Sequence, residues 1–245
     1  MKISFKEIEI FLKKLGYEKN EINEFIEQIK HFEEEAPDRD EIVKSYLNDK
    51  CINVIVEEIS NEIVTLNNKH IRLLDVAAGS GFFTEKIIMN LKEKGISVDP
   101  YALDLTPSML NRLEERNIKT IWGIAERIKD SILISNDYYK EKKPEKFDVV
   151  ISTLAFHHFL EPEKVLKSFR NVLNKNGKAI IIDILKHEHE EILEDLKDTH
   201  PGFSLNEIKN ISKEIFTKTN ADPLEAYCTV DDKKIYLYKA VLSMV

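Results

Sequence analysis

The features that commit a chain to a special environment are mostly missing from this one. Cysteine occurs twice in 245 residues, at Cys51 and Cys228, far apart and without the paired spacing of a zinc site or a redox motif. Both read as ordinary thiols, and no metal is expected. No apolar run approaches the roughly 18 residues needed to cross a bilayer. The N-terminus, MKISFKEIEIF, has acids inside its apolar stretch and no small-residue cleavage site, so neither a membrane partner nor secretion is expected and a cytoplasmic location is. Dense arginine runs are also lacking. With 36 Lys and Arg against 44 Asp and Glu, the formal charge of −8 repels phosphate backbones. DNA is therefore not an expected partner. Neither an internal repeat nor a low-complexity tract interrupts the chain.

The patterns that are present fall into two regimes that meet near residue 70. Before it the apolar spacing is helical. Ser4 and Glu7 stand at capping-box spacing with Gly16 as a stop, and Ile22, Phe25, Ile26, Ile29 and Phe32 recur at helical intervals until Pro37. Glu33 to Glu35 read as a solvated helix end. A third helical pattern, from about Asp40 to Leu66, carries Ile42, Val43, Tyr46, Leu47, Ile55, Ile59 and Ile63 on one face.

After residue 70, strand-like runs at 71–76, 98–103, 118–122, 147–152 and 178–183 alternate with helical patterns at about 81–94, 107–116, 125–134 and 162–173. That alternation builds a parallel sheet covered on both faces. SNDYYKEKKPEK reads as a surface loop, two more helical patterns lie between 187 and 219, and two β-rich runs around Asp231-Asp232 form a terminal hairpin. The expected fold is α/β: a Rossmann-like, mostly parallel seven-stranded sheet with a C-terminal antiparallel hairpin. Residues 1–69 would be a helical lid or extension, and residues 70–245 the sheet domain.

The segment IRLLDVAAGSGFFTEKI sets the functional question. A strand ends near Asp75, Gly79 and Gly81 let the backbone turn tightly, and the following helix aims its N-terminal amides at a ligand. Neither frame of a dinucleotide fingerprint fits, because the third small residue would fall on Thr84 or Phe82. A ligand without a diphosphate is favoured over a nicotinamide.

DVAAGSG resembles the first loop, D/E-x-G-x-G-x-G, of the class I S-adenosylmethionine-dependent methyltransferases, matching at Asp75, Gly79 and Gly81 with Ala77 at the first glycine position. Alanine there is expected to keep a negative φ. A second match is YALDLTPSML, whose Asp104 would accept both ribose hydroxyls while Leu105 and Met109 flank the adenine. The bland alternative is that Asp104 is only an acid ahead of the helix that Pro107 begins. In IKTIWGIAERI, similar to a G-D-A-E segment, Gly123, Ile124 and Ala125 would border the base; Ile124 replaces the usual acid, and Ala125 can still offer its amide. FDVVISTLAFHHF resembles the family's fourth strand and the histidine pair of small-molecule members, which puts Thr153 at the cofactor's edge. The D/N-P-P-Y/F signature of enzymes that methylate base amino groups is absent.

The resemblance implies S-adenosylmethionine as cofactor, S-adenosylhomocysteine as product, and a small-molecule methyl acceptor reacting through O, N or S. His157 and His158 are the candidate catalytic bases. Tyr46, His157, Asp183 and His200 are candidate substrate contacts, although Ser204 and Glu207 explain the segment after His200 as a capping box. The acidic N-terminal helices disfavour an anionic substrate, and lid and homodimer contact are both open roles for them. The expected cysteines of an arsenite methyltransferase are missing. Cofactor binding without turnover and methylation of protein or RNA are the alternatives.

Overall fold

A computed structural model of the chain describes residues 3–189 and 199–244. Helix α1 (Phe5–Lys14) begins at Ser4, whose hydroxyl and the Glu7 carboxylate form the reciprocal box expected from their spacing. Helix α2 (Lys19–Glu35) runs into a 3₁₀ turn at Ala36–Asp38. The single helix expected over 40–66 is instead two, α3 (Arg39–Tyr46) and α4 (Asp49–Val64). Leu47 is extended (φ −120°, ψ 122°) and buried, and Asn48 accepts from the Cys51 amide at 2.9 Å. Apolar spacing carries through this break unaltered; the side-chain cap decides it.

The sheet contains β1 (His70–Val76), β2 (Ser97–Asp104), β3 (Lys119–Trp122), β4 (Phe147–Thr153), β5 (Leu173–Ile184), β6 (Lys218–Val230) and β7 (Lys233–Ser243), in the order β3-β2-β1-β4-β5-β7-β6. The first five strands run parallel, and β7 lies antiparallel to both β5 and β6. Asp231 and Asp232 both adopt positive φ (48° and 63°), the conformation a two-residue hairpin turn needs. Strand β5 starts earlier than expected: the Asn176-Gly177 pair sits in a register shift within the strand.

Helices α5 (Phe82–Glu93), α6 (Pro107–Glu115), α7 (Ile128–Tyr139), α8 (Pro162–Val172) and α9 (Leu205–Ser212) connect the strands. The first residues of the expected SNDYYKEKKPEK loop are the last turn of α7, which stops at Lys140 with φ 54°. Of the two helical patterns expected between 187 and 219, the first falls largely outside the described residues. Among those described, no helix is long and apolar enough to cross a membrane.

Three apolar cores hold these layers together. Ile55, Ile59 and Ile63 of α4 share one with Ile71, Leu73, Ile87 and Val149, so α4 covers the sheet directly. The opposite face buries Val150, Ile181, Phe169 and Ile208. A third core joins α1 and α2 to the β2–β3 end: Phe11 stacks on Trp122 at 4.6 Å, and Ile8, Ile22 and Phe25 pack with Leu110 and Leu113. The strand order reverses between β1 and β4, and a crevice opens at the carboxyl ends of such strands.

Candidate active site

The crevice holds a cleft of about 1020 Å³, over the ends of β3, β2, β1 and β4. Its floor is the loop after β1. Ala77 adopts φ 55°, as does Gly79, and Gly81 has φ 82°. The negative φ expected for Ala77 is therefore wrong. Bonds made by the next two residues override the Cβ preference: the Ala78 amide donates to the Leu103 carbonyl at 3.3 Å and the Gly79 amide to Asp104 Oδ2 at 2.8 Å. An L-residue held in this region costs roughly 1–2 kcal/mol. A Cβ on Gly79 would meet no atom within 4 Å, so a side chain there would occupy cleft space and not core.

Asp104 ends β2 and is 8% exposed. Its other oxygen, Oδ1, accepts from the Thr106 amide at 2.9 Å. Burial pushes its carboxyl above the ordinary carboxylate range, while the amides of Thr106 and Gly79 pull the other way. A carboxylate offers about four lone-pair sites. The Gly79 and Thr106 amides hold one on each oxygen, and the Thr106 hydroxyl and the Leu105 amide also favour the charged form. Asp75 does not line the cleft. It lies beneath the loop, 2% exposed, and accepts from the Thr84 hydroxyl. Burial first, then the charge of Asp104, push it up to about 7 against that hydrogen bond.

Of the residues expected at the cofactor, Ala77, Gly79, Asp104, Leu105, Met109, Gly123, Ile124, Ala125 and Thr153 line this cleft. Gly81 faces away, toward Leu113 and Ile118. The cleft is also lined by residues that no sequence motif marks: Phe25, Gln28, Ile29 and Phe32 from α2, Arg39 and Val43 from α3, and Glu126. Glu126 is 6% exposed, and burial, followed by the charge of Glu161, pushes its carboxyl up to about 7.

A second cavity of about 1080 Å³ adjoins the first over the ends of β4, β5 and the β6–β7 hairpin. Phe32, Arg39, Tyr46, Leu154 and His158 line both, so they form the wall between them. Ile184, Cys228, Val230 and Ile235 give the second cavity an apolar side, and His31, Glu35 and Arg39 a polar one. Glu35 pairs with Arg39 and stands 3.3 Å from His31 Nε2. Glu33 binds the Ser108 amide (2.8 Å) and hydroxyl (2.6 Å). Of the acids expected to be a solvated helix end, Glu34 is exposed, whereas Glu33 and Glu35 are structural partners, as the chain turns at Ala36–Asp38 beside α6.

His157 lines the second cavity and is 6% exposed. Its Nδ1 bonds Asp183 Oδ1, while Asp183 Oδ2 accepts the amides of Phe156 and His157. Asp183, fully buried, lines neither cavity; it fixes the histidine and the turn carrying it. A carboxylate on Nδ1 selects the tautomer in which Nε2 is the basic nitrogen. His158 packs on His157 with ring centroids 4.1 Å apart. The Gln28 side chain and the Thr199 hydroxyl both donate to the His158 carbonyl, which ties α2 to this turn. His200 bonds the Phe159 carbonyl through Nε2 at 2.9 Å, and its amide donates to the His157 carbonyl, also at 2.9 Å. It lines neither cavity; its place is behind the histidine turn.

The family model described as a methyltransferase domain matches residues 67–229. The chain is 31% identical over 142 residues to the ubiquinone/menaquinone biosynthesis C-methyltransferase UbiE of Wigglesworthia glossinidia brevipalpis, covering 57% of this chain and 53% of that one. It spans about half the length of the curated relatives it matches first. Among solved structures, the CMeT domain of the citrinin polyketide synthase aligns with a TM-score of 0.63 at 14% identity, over 84% of this chain and 56% of that one. The CurJ carbon methyltransferase aligns at 0.62 and 16%, over 85% and 59%. At such identity these two share the fold. With the family model matched from the first strand into the terminal hairpin, the chain belongs to the class I S-adenosylmethionine-dependent methyltransferases.

Proposed function

We propose that the chain transfers a methyl group to a small molecule held in the second cavity, from S-adenosylmethionine held in the first. One observation carries this reading: two cavities meet at a shared wall, and His157, held by the buried Asp183, lines the one not lined by the glycine loop.

The first cleft is concave, with an apolar lining and a few polar groups, the form expected of a cofactor site. It fits in chemistry too. Asp104 brings a carboxylate to the cleft wall as an acceptor for a ribose, Leu105 and Met109 offer apolar contact to a base, Ala125 a backbone amide, and the open space at Gly79 room for close approach. Thr153, at the end of β4, marks the side nearest the second cavity. When bound, the cofactor supplies an electrophilic methyl on a sulfonium, which needs no acid to leave.

The work left to the chain is positioning and proton removal. Walls from α2, α3 and the hairpin hold the acceptor against the shared boundary at His158 and exclude water, which supplies proximity and desolvation. His157 takes the acceptor's proton on Nε2, and Asp183 stabilises the cation that forms. The acceptor atom is thus one whose proton a histidine can remove: an acidic O, N or S, or an activated carbon of the kind the relatives' C-methyltransferase names point to. Tyr46 borders that acceptor, whereas His200 supports the histidine turn. Residues before α4 act as a lid: Asp40 on α3 binds the Ser80 hydroxyl at 2.6 Å and pairs with Arg116, which clamps the lid to the glycine loop.

The test is transfer of labelled methyl from S-adenosylmethionine into a metabolite mixture, with protein and RNA fractions in parallel. Label in small molecules that disappears with His157→Gln supports the reading. Label confined to macromolecules, or turnover unaffected by that substitution, contradicts it.

A further inference from the structure

The two cavities are poor in positive charge. Among the described residues Arg39 is the one lysine or arginine that lines either of them, and it stands in the wall they share. It opens α3, with Cζ 5.5 Å from the centre of the Phe32 ring. Glu35 takes only the Nη1 corner of the guanidinium, through Oε2, and its other oxygen faces His31 Nε2 at 3.3 Å. The opposite edge, with Nε–H and Nη2–H pointing the same way, bonds no group among the described residues. Neither of its nitrogens is sealed in the interior, and the side chain keeps 17% of its surface, so the edge is open to a ligand.

Burial works against the charge of Arg39, while Tyr46, Glu35 and Asp104 favour it and hold its pKa above the ordinary arginine range. The guanidinium is a fixed cation. Its free two-donor edge matches the two oxygens of a carboxylate, a pairing that the point charge of a lysine does not reproduce.

We propose that the acceptor is a small carboxylic acid, anchored on the Nε–Nη2 edge of Arg39 with its apolar body along Ile184, Val230 and Ile235. This names the acceptor class for the function proposed above and rests on it. The cofactor carries a carboxylate too, but Glu35 and His31, which fix the guanidinium, border the second cavity alone and set the cluster on the acceptor's side. The acid excess of the N-terminal helices, which disfavours an anionic substrate on average, does not describe this wall, where Glu35 is spent on Arg39 and His31. A carboxylate has already lost its proton at neutral pH. The atom that His157 deprotonates is therefore another one, and the acid group is an anchor that survives the reaction.

A metabolite extract split by anion exchange into an acidic pool and a neutral-plus-basic pool is the probe. With labelled S-adenosylmethionine, the acidic pool should take up at least about tenfold more label, and the product should still bind the exchanger. Arg39→Gln should lower incorporation from that pool, at subsaturating concentration, by about tenfold or more, as expected for one hydrogen bond to a charged group. Arg39→Lys, a charge without the edge, should restore only part of it. Affinity for S-adenosylhomocysteine should stay within about threefold of the wild type in both. Label taken up mainly from the neutral-plus-basic pool would overturn the proposal. So would a product that alkali splits to methanol, since the acid would then be the methylated group, and so would loss of the signal after phosphatase treatment of the extract, which would put a phosphate on Arg39. A larger fall in S-adenosylhomocysteine affinity in folded Arg39→Gln would assign the guanidinium to the cofactor's carboxylate instead. Should neither variant fold, the two pools decide with the wild type alone. No label from either pool would overturn the proposed function, and this inference with it.

Discussion

The two cavities are built in opposite ways. The cleft over β3, β2, β1 and β4 has a floor of short local segments (a glycine loop, one carboxylate at a strand end and the turn after β3) under side chains from α2 and α3. The cavity over β4, β5 and the hairpin is mostly side chains, brought from α2, α3, the histidine turn and β6–β7. Backbone geometry suits a ligand that never changes, since amides and φ angles tolerate few alternatives. A wall of side chains from distant segments can be respecified by substitution without disturbing the sheet. On the proposed function, the fold separates a fixed cofactor half from a variable acceptor half.

The sharpest way to break this division is to damage one half and measure the other. His157→Gln removes the basic Nε2 from the acceptor side, and turnover should fall about 10²- to 10⁴-fold, the usual range for general-base catalysis. Affinity for S-adenosylhomocysteine should hold. A parallel loss of cofactor affinity would mean the halves are one site.

Asp104→Ala is the reciprocal test, with the next largest effect. Losing two charge-assisted hydrogen bonds, partly replaced by water, should cost about 2–4 kcal/mol, or on the order of 30- to 1,000-fold in cofactor affinity. The melting temperature should fall as well, because Asp104 also holds the amides of Gly79 and Thr106. A dissociation constant within about threefold of the wild type would leave Asp104 as loop scaffolding only.

The fixed half should also announce itself in the pH dependence of stability. Asp75 and Glu126, pushed up to about 7 by burial first, keep protons in the folded chain that free carboxyls lose near pH 4. The folded state binds the extra protons, so their contribution is present below about pH 4 and is lost as pH rises through about 7. The unliganded melting temperature should drop by about 5 °C or more between pH 5 and pH 8. The net charge of −8 acts in the same direction, so Asp75→Asn is the control. A flatter profile in that variant supports the assignment, and an unchanged slope removes it.

The smallest effect concerns Ala77. Glycine at φ 55° relieves strain of roughly 1–2 kcal/mol, offset by the extra freedom of an unfolded glycine. Ala77→Gly should therefore stabilise by less than about 1 kcal/mol in denaturant titration; a loss of stability would show that the methyl group packs usefully.

What the sequence disclosed follows the same division. Gly79, Asp104 and Ala125 were legible because loop, strand end and turn are each continuous in the chain. So were both capping boxes and the Asp231-Asp232 turn. Arg39, Glu35, Cys228 and Val230 carried no local mark of sharing a cavity, since only the folding of α2–α3 and the hairpin over one sheet end brings them together. Glu126 carries no local mark of lining the cleft, since the acid position of the G-D-A-E pattern falls on Ile124 and only the turn after β3 brings the next acid to the wall. The break at Leu47 was missed since an apolar stripe does not register an Asn acting as a cap. Ala77 was misjudged because its φ is set by partners on β2, outside the motif.

The central claim is that the first cleft is an S-adenosylmethionine site, and calorimetric titration of the wild type tests it most directly. S-adenosylhomocysteine should bind with one-to-one stoichiometry and NAD should give no heat of binding. Saturable NAD binding with none for S-adenosylhomocysteine would contradict the account.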